Sequence, residues 1–100
     1  MSDVFKALAH PARRKILELL KVQDRTAGEL AELVGEAPST MSGHFAVLKA
    51  ADLVQADKSG TTITYSLNLS VLEEALLAFT RAVGVGEKES DIWKEESSYS

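Results

Sequence analysis

Apolar positions recur along the chain with two different periods. Val4, Phe5 and Leu8 form a short apolar face that predicts one or two helical turns. His10-Pro11 breaks the pattern, and Pro11 suits the first position of a new helix, where its missing N–H costs nothing. Ile16, Leu17 and Leu20 follow at helical spacing among Arg13, Arg14, Lys15, Glu18 and Lys21, predicting a helix over about 11–21. Thr26-Ala27-Gly28-Glu29 has the form of a capping box, in which Thr26 and Glu29 satisfy each other's backbone N–H. Leu30, Leu33 and Val34 then make the apolar face of a short helix, about 27–34, that stops at Gly35. Pro38 opens the next helix, about 38–51. Met41, Phe45 and Leu48 stand at i, i+4 and i+7 for the core, with Ala37 or Val47 flanking them.

After Asp52 the period falls to two. Val54 and Ala56, then Ile63, Tyr65 and Leu67, alternate with polar residues about the turn Asp57-Lys58-Ser59-Gly60-Thr61. This predicts a β-hairpin with its tip near Ser59-Gly60. Asn68 or Ser70 caps a last helix, about 71–83, that Gly84-Val85-Gly86 ends. The fold expected is mainly α with a small β-hairpin: a dimeric winged helix-turn-helix domain over 1–86. The 27–34 and 38–51 helices form the helix-turn-helix and the hairpin forms the wing. Residues 87–100 are expected to be a mobile acidic tail that folding does not need, although Ile92, Trp93 and Tyr99 interrupt its polar run.

The outward side of the 38–51 helix departs from an ordinary solvated face. It reads Ser39, Thr40, Ser42, Gly43, Ala46 and Lys49, small and hydroxylic and free of acid. Short hydroxyls can bond phosphates or base edges without blocking close approach, and the amides of a helix N-terminus add phosphate donors. The candidate DNA-binding residues are therefore Ser39, Thr40, Ser42, Gly43, His44 and Lys49, with Lys58 on the wing. His44 has two readings, a phosphate contact or a filler between the helix and the body. Gly43 costs about 1 kcal/mol against Ala inside a helix, which fits close approach of another backbone or simple drift. Arg13 is read as structural, pairing with an acid on a neighbouring helix, with a phosphate contact as the lesser alternative, and Arg14 and Lys15 as solvated. Apolar surface is left over at both ends of the domain, so a dimer seam is expected from Val4, Phe5, Leu8, Leu72, Ala75, Leu76, Phe79 and Val83.

Several segments in register resemble the ArsR-type repressors, and most closely their metal-independent SdpR-like branch. They are Phe5-Lys6-Ala7-Leu8-Ala9-His10-Pro11-Ala12-Arg13-Arg14-Lys15-Ile16-Leu17-Glu18-Leu19-Leu20, Glu29-Leu30-Ala31-Glu32-Leu33-Val34-Gly35, Met41-Ser42-Gly43-His44-Phe45-Ala46-Val47-Leu48-Lys49, Leu53-Val54, and Gly60 with Tyr65-Ser66-Leu67. Together they span about residues 4–80. The resemblance implies a homodimeric winged-helix repressor that binds a double-stranded DNA operator, often at its own promoter, and releases it on a signal. It further hints that a separate protein senses that signal. The departures are specific. Metal-sensing relatives carry a Cys-x-Cys near the first helix of the helix-turn-helix, or His and Asp ligands on the last helix. Here Thr26–Val34 holds no Cys and Val71–Val83 no His, so no metal or other cofactor is expected. The wing offers Asp57 and Lys58 where relatives are often Arg-rich. Gly43 stands where relatives commonly have His, and Ala37 where they have Ser.

Composition tempers this picture in one respect. The net charge is −4, which by itself disfavours a nucleic-acid partner. Residues 1–83 carry ten acidic and nine basic side chains, whereas 84–100 carry five and two, so the excess sits in the tail. A nearly neutral body can still bind DNA if its cations gather on one face. The chain has no cysteine, which removes disulfides and thiol chemistry. It has two histidines, no nucleophile motif and no phosphate loop, and Glu73-Glu74 point to different helix faces, so an enzyme is not expected and no catalytic residue is assigned. The rival reading is a winged-helix module for protein contact, but such a face would more often expose aromatics. Met1–Lys6 lacks the marks of a signal peptide, and no apolar run approaches the roughly 18 residues of a membrane span. The cytoplasm is the expected location.

Overall fold

A computed structural model describes residues 2–84. Met1 and residues 85–100, with the tail expected over 87–100, lie outside the described residues. The elements run α1 (Ser2–Leu8), α2 (Pro11–Val22), β1 (Arg25–Thr26), α3 (Ala27–Val34), α4 (Pro38–Ala50), β2 (Val54–Ser59), β3 (Thr62–Leu67) and α5 (Leu69–Val83). No helix is long and apolar enough to cross a membrane, among the described residues.

Local chemistry explains where the helices begin and end. Pro11 is the first residue of α2, and the His10 Nδ1 caps that helix by accepting from the Ala12 N–H at 3.1 Å. The capping box of α3 is formed in full: the Glu29 N–H donates to Thr26 Oγ1 at 3.1 Å and the Thr26 N–H to Glu29 Oε1 at 2.8 Å. The Thr26 N–H, then the Thr26 hydroxyl, holds the Glu29 carboxyl below its usual range. Its contribution is thus present near neutrality and lost as the pH falls through that lowered value. Gly35 closes α3 at φ 83°, a left-handed conformation that only glycine adopts freely.

The capping of α1 is a correction. Arg13 finds no acid. Its Nε donates to the Ala7 carbonyl at 2.8 Å and its Nη2 to the Lys6 carbonyl at 3.0 Å. Arg14, expected to be merely solvated, donates to the Leu8 carbonyl at 2.7 Å. Two guanidiniums from α2 therefore satisfy the last carbonyls of α1, where the helix dipole also favours positive charge.

The sheet is larger than the hairpin read from the sequence. Its order is β1-β3-β2, all antiparallel, with Arg25 opposite Tyr65 and Thr26 opposite Thr64 on one side of β3. On the other side Val54 faces Leu67 and Ala56 faces Tyr65, down to Ser59 and Thr62 at the tip. Two residues were too short a run to show a period of two. They nonetheless bind the start of the helix-turn-helix to the wing.

The core lies between α1, α2, α3, α4 and the base of the sheet. Ile16, Leu30, Met41, Leu48 and Leu53 are fully buried, each contributing about 1.5–3 kcal/mol of burial free energy. Phe45 stacks on Tyr65 with ring centroids 4.3 Å apart, which fixes the wing to α4, and burial pushes the Tyr65 phenol up. At the exit of α4, Asp52 takes φ 59° and its carbonyl accepts from Asn68 Nδ2 at 3.0 Å. That tie joins the end of α4 to the start of α5, two residues earlier than the sequence suggested. Asn68 stands at the α5 N-cap without a side-chain bond to the helix, and Ser70 Oγ donates to Asn68 Oδ1 instead.

Candidate nucleic-acid interface

Helix α4 divides cleanly into two faces. Met41, His44, Phe45 and Leu48, at i, i+3, i+4 and i+7, are buried. Ser39, Ser42, Gly43 and Ala46, with the same spacing, are exposed, as are Thr40 and Lys49. The burial of one stripe presents the other outward and holds the helix in place. No acid stands in its first turn, and no side chain caps it at Ala37. Pro38 has no N–H, so the Ser39 and Thr40 amides at the exposed end are left for an outside acceptor. Ser42 Oγ donates to the Pro38 carbonyl at 3.2 Å, which keeps its lone pairs available. Ser42 also borders a hollow of about 170 Å³ shared by α3, α4 and the wing, with Ala27, Ala31 and Ile63 on its walls.

Gly43 lies open. A Cβ there would meet nothing within 4 Å, so nothing within the protomer demands glycine. Lys58 is exposed on β2 next to the wing tip, opposite Ile63. His44 does not join this surface. It is 7% exposed, its Nδ1 lies 3.4 Å from Arg13 Nη1, and its ring packs against His10 in a tilted contact, centroids 4.5 Å apart. Its Nε2 is 3.6 Å from Glu36 Oε2, too long for a hydrogen bond. That burial corrects the expected phosphate contact: His44 fills the boundary between the helix and the body. The signal was available, because His44 completes the i+3 position of the Met41–Leu48 stripe. An imidazole in an otherwise apolar row invites a surface role instead.

A second surface lies on α5, which has no fully buried residue. Leu69, Leu72, Leu76, Phe79 and Val83 follow one another at steps of 3, 4, 3 and 4 along one side, the spacing of a helix-pairing seam. Leu69, Leu76, Phe79 and Val83 are exposed and Leu72 is half-buried. Ala75 is half-buried on the side turned to the body. The Phe5 ring lies 5.0 Å from Phe79, so α1 extends the same apolar surface, with half-buried Leu8 nearby in α1. Val4 does not: at 5% exposure it belongs to the core, which corrects its place in the expected seam. Leu69, missed in the sequence, takes a place in the stripe. No three His, Asp or Glu side chains are grouped to hold a metal, among the described residues.

Residues 10–56 match the family model described as bacterial regulatory protein, arsR family. Over 76 residues the chain is 43% identical to the transcriptional repressor SdpR of Bacillus subtilis, covering 76% of this chain and 84% of that one. A crystallised ArsR family transcriptional regulator superposes with a TM-score of 0.71 at 27% identity, over 82% of this chain and 87% of the other. The homodimeric winged helix-turn-helix DNA-binding domain of Mb0332 from Mycobacterium bovis, a possible ArsR-family regulator, gives 0.67 at 31% identity, over 88% and 81%. Fold, order of elements and sequence thus agree: the chain belongs to the ArsR family of bacterial regulatory proteins and is a winged helix-turn-helix transcription regulator rather than an enzyme.

Proposed function

We propose that the chain acts as a homodimeric repressor that reads an inverted-repeat operator with the N-terminal half of α4. The observation that carries this reading is the exposed, acid-free stripe on a helix whose opposite stripe is locked in the core. Ser39 and Thr40, with their amides, would grip phosphates. Ser42 and Gly43, deeper in the groove, would meet base edges. Lys49 and Lys58 would neutralise phosphates at the two flanks. The relatives support the roles by their own descriptions, SdpR as a repressor and the Mb0332 domain as a DNA-binding homodimer. The apolar stripe of α5, with Phe5 and Leu8 of α1, would pair with its copy in a second protomer. A two-fold dimer sets its recognition helices in successive major grooves, so half-sites should be centred about 10–10.5 base pairs apart, or a multiple of that. Such a protein works in the cytoplasm. The chain has no cysteine, and no three metal-ligating side chains are grouped among the described residues, so a separate protein partner is the fitting sensor.

The test is selection of duplexes from a random pool, followed by affinity measurement. Recovered sites should be inverted repeats bound roughly 10³-fold or more tightly than random duplex of equal length. Recovery of no sequence, with equal affinity for all duplexes, would defeat the reading.

The wing makes a smaller, graded prediction. Lys58→Ala should weaken binding about equally for every duplex and lower the salt slope by about one unit, the mark of one lost phosphate contact. A change confined to particular base positions would instead give Lys58 a reading role. The domain is further proposed to end near residue 86. A chain ending at Gly86 should melt close to the full-length temperature and hold random DNA somewhat more tightly, since the tail's net negative charge is gone. A large fall in melting temperature would place the Trp93 region in the core.

A further inference from the structure

His44 is the buried polar side chain of the described core, and its two nitrogens face different partners. Arg13 Nη1 lies 3.4 Å from His44 Nδ1. A guanidinium has donors only, so Nδ1 must be the acceptor and the ring's proton must sit on Nε2, toward Glu36. The same guanidinium holds the Ala7 and Lys6 carbonyls at 2.8 and 3.0 Å. One side chain of α2 therefore ties the recognition helix to the end of α1. Helix α1 in turn carries Phe5, whose ring meets Phe79 on the apolar stripe of α5.

His10 completes the cluster. Its ring packs at a tilt against His44, and its own Nδ1 accepts the Ala12 N–H that starts α2. These are the chain's two histidines, and both work through an unprotonated Nδ1.

We propose that Arg13 is a positioning residue for DNA binding: through the neutral His44 it sets the recognition helix against the α1–α5 dimer surface, and protons on the paired imidazoles release that setting. This rests on the operator reading above. A proton on His44 Nδ1 would turn N–H against N–H. A proton on His10 would remove the α2 cap and put a cation where the helix dipole opposes it. Glu36, in the turn before α4, is the carboxylate facing the pair, and its side chain is a third exposed, so solvent screens what it gains. On α1, Asp3 and Lys6 line a separate hollow beside Val47 and Ala50, and on α3 Glu29 and Glu32 are exposed.

The sign of the effect is diagnostic. Added positive charge alone should tighten binding to a polyanion. Release of the joint should weaken it. Full-length protein is titrated with a selected operator duplex at constant salt, from about pH 8 to about pH 5.5, the range in which histidine ordinarily changes charge. Wild type should lose affinity roughly tenfold across it. His44→Gln keeps an acceptor for Arg13 and does not titrate, so relative to its own affinity near pH 8 it should lose much less in acid. Arg13→Lys keeps the charge but cannot span all three acceptors. It should bind near pH 8 as weakly as acidified wild type. Wild-type affinity that rises or stays level in acid, a parallel fall in His44→Gln, or a wild-type profile in Arg13→Lys would each overturn the proposal. Two readouts need no DNA. Imidazole ¹⁵N shifts near pH 8 should show His44 with Nδ1 unprotonated, and amides of α1 should lose protection in acid in wild type but not in His44→Gln. The other tautomer, or unchanged protection, overturns the joint. A chain that binds no duplex at any pH would defeat the operator reading while leaving these two results to decide the joint.

Discussion

Ser42→Glu is expected to abolish operator binding while the protein stays folded. Ser42 is exposed in the middle of the outward stripe of α4, and its hydroxyl bonds only the Pro38 carbonyl, one turn back. Losing that bond costs the helix little, because Glu is a better helix former than Ser and a negative charge in the first half of a helix suits its dipole. In the proposed complex the same carboxylate would face phosphate oxygens and the acceptor-rich edges of bases. Like charges pressed together at an interface cost several kcal/mol, and about 4 kcal/mol is already a thousandfold in affinity. Gel shift or anisotropy on the selected operator measures the loss, and circular dichroism supplies the folding control. Ser42→Ala separates repulsion from lost bonding: it should cost about 1–3 kcal/mol at most, the value of one base contact. A folded Ser42→Glu protein that binds like wild type would mean that α4 does not enter the groove. The protein-contact reading would then lead.

Much of this architecture could be read from the order of residues alone, and the reasons are local. Proline at 11 and 38, the Thr26–Glu29 box and the left-handed Gly35 each act within one helical turn, so sequence neighbours suffice to see them. The Met41, Phe45 and Leu48 stripe repeats on a fixed period for the same reason. What escaped reading depends on partners distant in the chain. The acid expected beside Arg13 is not its partner. Its real acceptors are backbone oxygens of α1, which no side-chain pattern announces. The β1 pairing of Arg25 and Thr26 exists only because β3 returns beside them some forty residues later. Val4 and Phe5 are adjacent and equally apolar, yet Val4 faces the core and Phe5 turns to Phe79. Only the seating of α1 against α4 and α5 decides which is which. The outward stripe of α4 was legible by subtraction, since once the buried positions are set the exposed ones follow. His44 was the exception because its chemistry suggested one face and its spacing the other.

Leu76→Glu is expected to turn the proposed dimer into a monomer and to cost most of the operator affinity. Leu76 is 42% exposed at the centre of the Leu69–Val83 stripe, between half-buried Leu72 and exposed Phe79. Within one protomer the substitution is mild: the position is open and Glu favours helix. Across a two-fold seam it would place two carboxylates among leucine and phenylalanine side chains, where an unpaired charge cannot be solvated. The loss in DNA binding follows from geometry. In the proposed complex each protomer would touch one half-site, and the seam would make the second contact intramolecular. Linkage of this kind raises overall affinity by about 10²–10⁴, all of which disappears when the protomers separate. Light scattering at micromolar concentration should report a dimer for wild type and a monomer for the variant. The variant's melting temperature should also fall, because association no longer favours the folded state. Leu77→Glu is the control. Leu77 is as exposed as its neighbour, at 50%, but points well away from the stripe, so it should remain dimeric and bind normally. If Leu76→Glu remains a dimer while Leu77→Glu dissociates, the seam runs along the other side of α5. If both are dimers, α5 is not the seam at all. A monomeric Leu76→Glu protein that still binds the inverted repeat with wild-type affinity would break the link between two-fold assembly and operator reading.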